Sequence, residues 1–293
     1  MKNILVRPTL SILLTFFLSF NQACDQKTEE AIDDLKAKSE KPESIMAYYN
    51  AFTQKTDGKF ALKSFNTHAG QDDPQSGSSI IDGFFFDKNG RTIVGGDVQI
   101  GSIKINPDLK NNNCYCSDYR NNQIGKSLYG TSIKISIDPT QNSSSLRASE
   151  DSIGTEIYIP NLIRITNPAK FVNTADQPYL ALKVGSQIGW NVDEKNKKGI
   201  VIVLEYDPLA LENEYLQKKG ELINAEIKKA KAITVSDPEG IYTFTNEDLK
   251  DFPTNAYIKL TIGRANFTSM KNDEKSFSFF AYTTVVSSFQ VKR

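Results

Sequence analysis

Few residues in this chain have side chains that could carry chemistry, and their spacing limits what each can do. Cysteine occurs three times, at positions 24, 114 and 116, and histidine once, at His68. A lone imidazole excludes multi-histidine metal centres and leaves little scope for histidine acid–base chemistry. It sits in the polar stretch Asn66-Thr67-His68-Ala69-Gly70, which predicts an exposed loop. Cys114-Tyr115-Cys116 is the more suggestive pair. On a straight strand, side chains two apart share a face but stand about 6–7 Å apart, since each residue rises about 3.3 Å. A disulfide needs Cβ atoms about 3.8 Å apart. Bonding therefore requires a turn, which the preceding Asn111-Asn112-Asn113 can supply, and the pair is either a tight local disulfide or two unpaired thiols. With no second cysteine pair to complete four ligands, no metal site is expected.

Three further side chains are candidate ligand contacts: Trp190, Arg264 and Asn266. An indole face stacks on sugar rings, yet a lone tryptophan on an inner strand reads first as core. Arg264 and Asn266 follow a strand, where a ligand contact competes with a sheet-end hydrogen bond. Paired carboxylates for glycoside hydrolysis are unreadable among 35 acidic residues, because their required separation is spatial. The sequence contains no phosphate loop, dinucleotide-binding glycine pattern, G-x-S-x-G elbow, H-E-x-x-H or Ser-x-x-Lys motif, so neither a cofactor nor a catalytic residue is assigned. Asp87-Lys88-Asn89-Gly90 reads as a hairpin turn rather than a calcium loop, and Asp193–Lys198 as a solvated turn. With 35 basic and 35 acidic residues the formal charge is zero, which argues against nucleic acid as a partner.

The elements that must hold these residues are mostly strands. Ile133, Ile135 and Ile137 alternate with polar residues, as do Ala256, Ile258, Leu260 and Ile262. Ile80–Asp87 and Arg91–Val94 flank the hairpin turn. Val98 and Ile100 fall out of phase with Ile103 and Ile105 unless Gly101 forms a bulge. Ile157, Ile159, Ile163 and Ile165 make an extended stretch broken by Pro160. Tyr179–Val184, Gln187–Val192 and Ile200–Tyr206 follow. Ser276–Val291 is apolar on both faces and is expected at the centre of a sheet. Leu209–Ile233 breaks the pattern. Leu216, Leu222, Ile223, Ile227 and Ala230 make a helical stripe, with Gly220 as its weak point, and Asn246 is the expected cap of a short helical turn. The fold expected is mainly β: two antiparallel β-sandwich units of immunoglobulin-like architecture, residues 76–170 and 171–293, with a helical insertion at 209–233.

The amino terminus reads as an address. Lys2 and Arg7 precede the apolar run Leu10–Phe20, which is shorter than the roughly 20 residues a spanning helix needs. Asn21-Gln22-Ala23-Cys24 resembles the end of a bacterial lipoprotein signal, with Asn21 departing from the usual leucine-like residue. That resemblance implies a signal peptide at 1–23, lipidation of Cys24, and a place on the outer membrane, surface-facing or periplasm-facing. Residues 24–75 are then the lipidated cysteine, a tether and an N-terminal segment: 25–45, rich in Glu, Asp, Lys and Ala, read as the tether, and Ile45–Phe65 as a docked helix turn or a first strand. Lipidation of Cys24 leaves an even pair of cysteines, as an oxidising compartment favours. One acyl chain gives only reversible binding of about 5–6 kcal/mol, whereas three on one cysteine give roughly 15. The string Trp190-Asn191-Val192-Asp193, then Asn196 and Gly199–Ile202, with Gly263-Arg264-Ala265-Asn266 later, is similar to sequences in uncharacterised surface lipoproteins with immunoglobulin-like domains. The functional expectation is a lipid-anchored envelope or cell-surface protein with a non-catalytic binding or structural role. Its partners would be the membrane and a glycan or envelope-protein ligand. The alternative is a surface glycan-active hydrolase using paired carboxylates.

Overall fold

The structure, a computed structural model, describes residues 54–70, 77–116, 126–138, 153–169, 180–222, 227–272 and 275–293. The expected signal peptide, Cys24, the tether and the polar loop at Asn142–Ser145 lie outside them. The protein is mainly β, built on an alternation that repeats along the chain. Strand β8 (Ser132–Asp138) is the plainest case, with Ile133, Ile135 and Ile137 buried and their neighbours turned outward.

One eight-stranded sheet forms the floor of the molecule. Its order is β14 (Lys229–Val235), β13 (Ile200–Tyr206), β16 (Tyr257–Asn272), β17 (Lys275–Val291), β1 (Gly58–Thr67), β2 (Ser78–Phe86) and β3 (Thr92–Ile93), with β11 (Leu180–Leu182) also against β17. β16 and β17 pair along their whole length, from Tyr257 opposite Gln290 to Asn272 opposite Lys275. A strand of 16 residues reaches about 50 Å, long enough to carry two cores end to end. Over the first core, which includes Phe60, Leu62, Phe85, Tyr115, Phe277 and Phe279, lies the sheet β5 (Ile103–Ile105), β4 (Asp97–Ile100), β8 and β9 (Ile153–Tyr158). Over the second, which includes Ile188, Trp190, Ile202, Leu204, Leu260, Ile262 and Phe289, lies the sheet β10 (Ile165–Asn167), β12 (Gln187–Trp190) and β15 (Ile241–Thr243).

The sandwich layering agrees with the alternation, and the floor adds pairings that local pattern does not encode. β1 and β11 each run parallel to β17, while the other paired strands are antiparallel. β1 lies in the N-terminal segment that precedes the expected first β unit, where a helix turn or a first strand was open, and is a buried strand between β17 and β2. The chain passes from one upper sheet to the other at residues 159–164, before the expected boundary at 170, because β10 pairs with β12.

Local chemistry corrects three more expectations. Gly101 forms no bulge: at φ +59° it begins a two-residue turn with Ser102, and Ile100 faces Ile103 across the hairpin. The helical insertion shrinks to α1 (Leu211–Lys218), because Gly220 at φ +71° ends it. Residues 229–235, Lys-Ala-Lys-Ala-Ile-Thr-Val, return to a period of two and pair with β13 as β14. Thr245, rather than Asn246, caps α2 (Asn246–Leu249), in a reciprocal box with Asp248.

Candidate functional site

Trp190, Arg264 and Asn266 do come together, in a polar belt between the two cores. Arg264 lies on the face of β16 that also carries Leu260 and Ile262, one step beyond the second core. Above it the connector 159–164 crosses from one upper sheet to the other. Its ends bond to backbone groups of Gly130, Thr131 and Asn191, but the partly buried middle, Asn161–Ile163, has no strand partner and brings backbone groups that must be satisfied. Side chains of the belt supply the partners. Asn161 N–H donates to Asp193 Oδ2 at 2.8 Å, Ile163 N–H to Thr283 Oγ1 at 3.2 Å, and Arg164 N–H to Asn191 Oδ1 at 2.6 Å.

Arg264 is fully buried. Its Nη2 donates to Asp237 Oδ1 at 3.0 Å and to the carbonyl of Asn191 at 2.5 Å, and its Nη1 donates to the carbonyl of Asn161 at 3.3 Å. Asp193 Oδ2 stands 3.9 Å from Nη1. Asp237 also accepts from Trp190 Nε1 at 3.2 Å and from Asn196 Nδ2 at 2.7 Å, while Asp193 accepts from the Tyr158 hydroxyl at 2.8 Å. Burial pushes the Asp237 carboxyl up and the Arg264 guanidinium down, and their mutual attraction opposes both shifts. Burial, then the hydrogen bond and charge of Asp193, hold the Tyr158 phenol far above its usual range.

These observations revise the ligand expectation. Trp190 and Arg264 face inward, and Asn266, half-buried, donates from Nδ2 to the carbonyl of Tyr158 at 2.8 Å. Asp193 and Asn196, expected on a solvated turn, are buried because the belt needs acceptors and donors there. Asp237 was legible only as part of the turn Asp237-Pro238-Glu239-Gly240, where Gly240 sits at φ +67°. The one available signal was the Trp190–Asp193, Asn196 and Arg264 string itself, whose residues meet in the belt.

The other sequence candidates also find places. Cys114 and Cys116 are joined in a disulfide with Cα atoms 5.5 Å apart, and Asn112 and Asn113 take positive φ to form the turn before it. Between them Tyr115 enters the first core, where its ring meets Phe60 and Phe85 and its hydroxyl accepts from Gly95 and Gly96 N–H. His68, expected to be exposed, is buried in a one-turn helix at 68–70, with Nδ1 3.3 Å from Ser287 Oγ on β17. Among the described residues no group of three or more histidine, cysteine or acidic side chains is placed to hold a metal ion.

Concave surface occurs at both poles. Where β1 begins, a cavity of about 450 Å³ is lined by Asp57, Phe85, Phe86, Asp87, Lys88, Ile93, Lys275 and Phe277. At the opposite pole α1 has a groove of about 430 Å³ on one side, lined by Pro208, Leu209, Glu214, Gln217, Lys218 and Lys228. Around this pole Leu209, Leu211, Tyr215 and Ile227 are 70%, 81%, 57% and 59% exposed. On its other side is a hollow of about 230 Å³ holding Glu205, Asp207, Glu212 and Tyr257. Burial raises the Glu205 carboxyl despite Lys259 at 2.8 Å. Asp207 lies lower than usual: burial works against this, but Lys228 at 2.8 Å and the Leu209 N–H outweigh it.

No family model and no curated protein matches the sequence. Among solved structures, the crystal structure of the chicken CNTN1 FN1–FN3 domains is similar at 10% identity and a TM-score of 0.19. The match covers 82% of this chain and 66% of that one, just under two thirds of its length. No helix among the described residues is long and apolar enough to cross a membrane.

Proposed function

We propose that this chain is a lipid-anchored protein of the bacterial outer membrane, with a non-catalytic binding role exercised through the pole that bears α1. The observation that carries the binding reading is the exposed cluster of Leu209, Leu211, Tyr215 and Ile227 beside the α1 groove. Large apolar side chains gathered on an otherwise polar surface mark contact sites. The position of this pole supports the same reading. β1, the strand that follows the tether, starts opposite Phe277, whereas α1 follows the end of β13 near Lys259 and Gln290. The strand rise separates the two ends by about 40 Å. A protein held at Cys24 would carry its apolar pole at the end remote from its tether. The partner is an envelope protein or a glycan. The belt supports a role without catalysis, since its ionised groups are turned inward and bonded to the protein itself.

Fatty-acid labelling in cells tests the anchor. Label is expected on the wild type and absent from Cys24→Ala; an unlabelled wild type or a labelled variant overturns it. Screening the mature chain against glycans and envelope proteins tests the pole, with Leu211→Glu expected to abolish whatever binding the wild type shows.

The second reading, a glycan hydrolase, is favoured by one observation. Glu205 and Asp207 are two residues apart, about 6–7 Å along the chain, with carboxyls shifted in opposite directions as an acid and its partner require. Each already has a lysine partner, and the hollow is smaller than the roughly 300 Å³ at which ligand pockets usually begin. Glycan hydrolysis lost on Glu205→Gln would establish this reading over the first.

A further inference from the structure

The reverse face of the floor sheet, turned away from both cores, holds a second buried ion pair. Ala61 faces Asp82 across β1 and β2, and Lys63 faces Ile80, so Lys63 and Asp82 are diagonal neighbours on one face. Such positions lie about 7–8 Å apart at Cα, well within the reach of a lysine. Lys63 Nζ is in direct contact with Asp82 Oδ2, and the side chains are only 7% and 8% exposed. Tyr282 lies directly opposite Lys63 on β17, fully buried. Among the described residues Asp82 Oδ1 has no hydrogen-bond partner.

That arrangement is costly as an ion pair. Two charges have been taken out of water, and one carboxylate oxygen receives no compensating bond. It is favourable for condensation. The amine and the carboxyl are held in contact with little water nearby, which replaces a bimolecular encounter with a positioned one. We propose that Lys63 and Asp82 are joined by an intramolecular amide bond between Nζ and Cγ. A proton passes from the Lys63 ammonium to the Asp82 carboxylate, giving an amine and a carboxylic acid. The nitrogen lone pair forms the bond to Cγ, the bond from Cγ to Oδ2 breaks, and Oδ2 departs as water with that proton and a second one from nitrogen. Both charges disappear, and Oδ1 remains as a neutral carbonyl oxygen, which is less expensive to bury unpaired than a carboxylate. The environment assists the first step, since burial raises the Asp82 carboxyl toward its protonated form against the attraction of Lys63. The Tyr282 phenol is likewise kept protonated, by burial first and the Asp82 charge second. The product would staple β1 to β2.

The tryptic map reads this directly, because between Lys59 and Lys88 the only cleavage site is Lys63. The full chain is denatured, reduced, alkylated and digested. The amide predicts loss of cleavage after Lys63 and a peptide 60–88 lighter than its sequence by one water, with fragment ions linking positions 63 and 82. Asp82→Ala restores the two peptides 60–63 and 64–88; should that variant not accumulate, the wild-type map decides alone. Recovery of free 60–63 from wild type overturns the proposal, even when 64–88 is lighter by one water. That pattern would mark a succinimide at Asp82-Gly83. A peptide 60–88 at its full sequence mass overturns it as well.

Discussion

The two buried charge clusters sit on opposite faces of one sheet and solve the same problem differently. Around Arg264 the positive charge is shared among Asp237, Asp193 and two backbone carbonyls, and the acids also bind Trp190, Asn196, Tyr158 and Asn161. Around Asp82 there is Lys63 and an oxygen with no partner. A buried charge is more tolerable when most of its hydrogen-bonding capacity is used: both terminal nitrogens of Arg264 are bonded and, among the described residues, its Nε alone lacks a partner. A partly buried connector also gives the first cluster work that no apolar residue could do. The second cluster serves no such crossing, which is why a covalent outcome suits it.

Removing one charge separates these cases most sharply. Arg264→Leu strands Asp237 and Asp193 inside the protein and is expected to cost about 3–5 kcal/mol, read from the urea midpoint at constant slope. A loss below about 1 kcal/mol would mean that the belt carries no stability. For the other cluster the double replacement Lys63→Met with Asp82→Leu is the sharper test. A simple buried ion pair replaced by apolar residues is neutral or stabilising. An amide closing a loop of about 20 residues predicts a loss of about 3 kcal/mol by loop entropy.

A smaller effect tests the second unit. Thr245→Ala removes the cap of α2 and should cost about 1 kcal/mol. The pH dependence has a definite sign. Burial alone would raise Asp248, but the Thr245 N–H and hydroxyl, Tyr242 and Lys231 bring it below its usual value. Its contribution is therefore present above the ordinary carboxylate pKa and lost as pH falls through the lower, folded one. Titrated stability of Asp248→Asn should lack that acid limb. Asp237, raised by burial, has the opposite slope: its contribution is lost as pH rises through the folded value. Smallest of all, Leu211→Glu at the exposed pole should leave the unfolding midpoint within about 0.5 kcal/mol of wild type. A large loss there would make the apolar pole part of the fold instead of a contact surface.

Local chemistry made most strands and turns legible. Asp87 shows why: its carboxylate accepts from the N–H groups of Asn89 and Arg91 at 2.8 Å, and Gly90 takes φ +78°, so the hairpin needs nothing from afar. The cysteine turn depended likewise on the asparagines beside it. The site was legible only as separate names. Trp190 and Arg264 stood out by residue type, but Asp193 and Asp237 looked like ordinary loop acids, since nothing in a local window says that a connector will pass overhead.

The sequence by itself determined the strand periods and most of the turn positions, because each follows from side chains within a few residues. Only the tertiary structure decided that β1 lies parallel to β17, with Gly58 beside Phe277. It alone turned His68 inward against Ser287 and gathered the belt around Arg264. Those outcomes depend on which distant backbone groups find one another once water is excluded, and periodicity carries no record of such a choice.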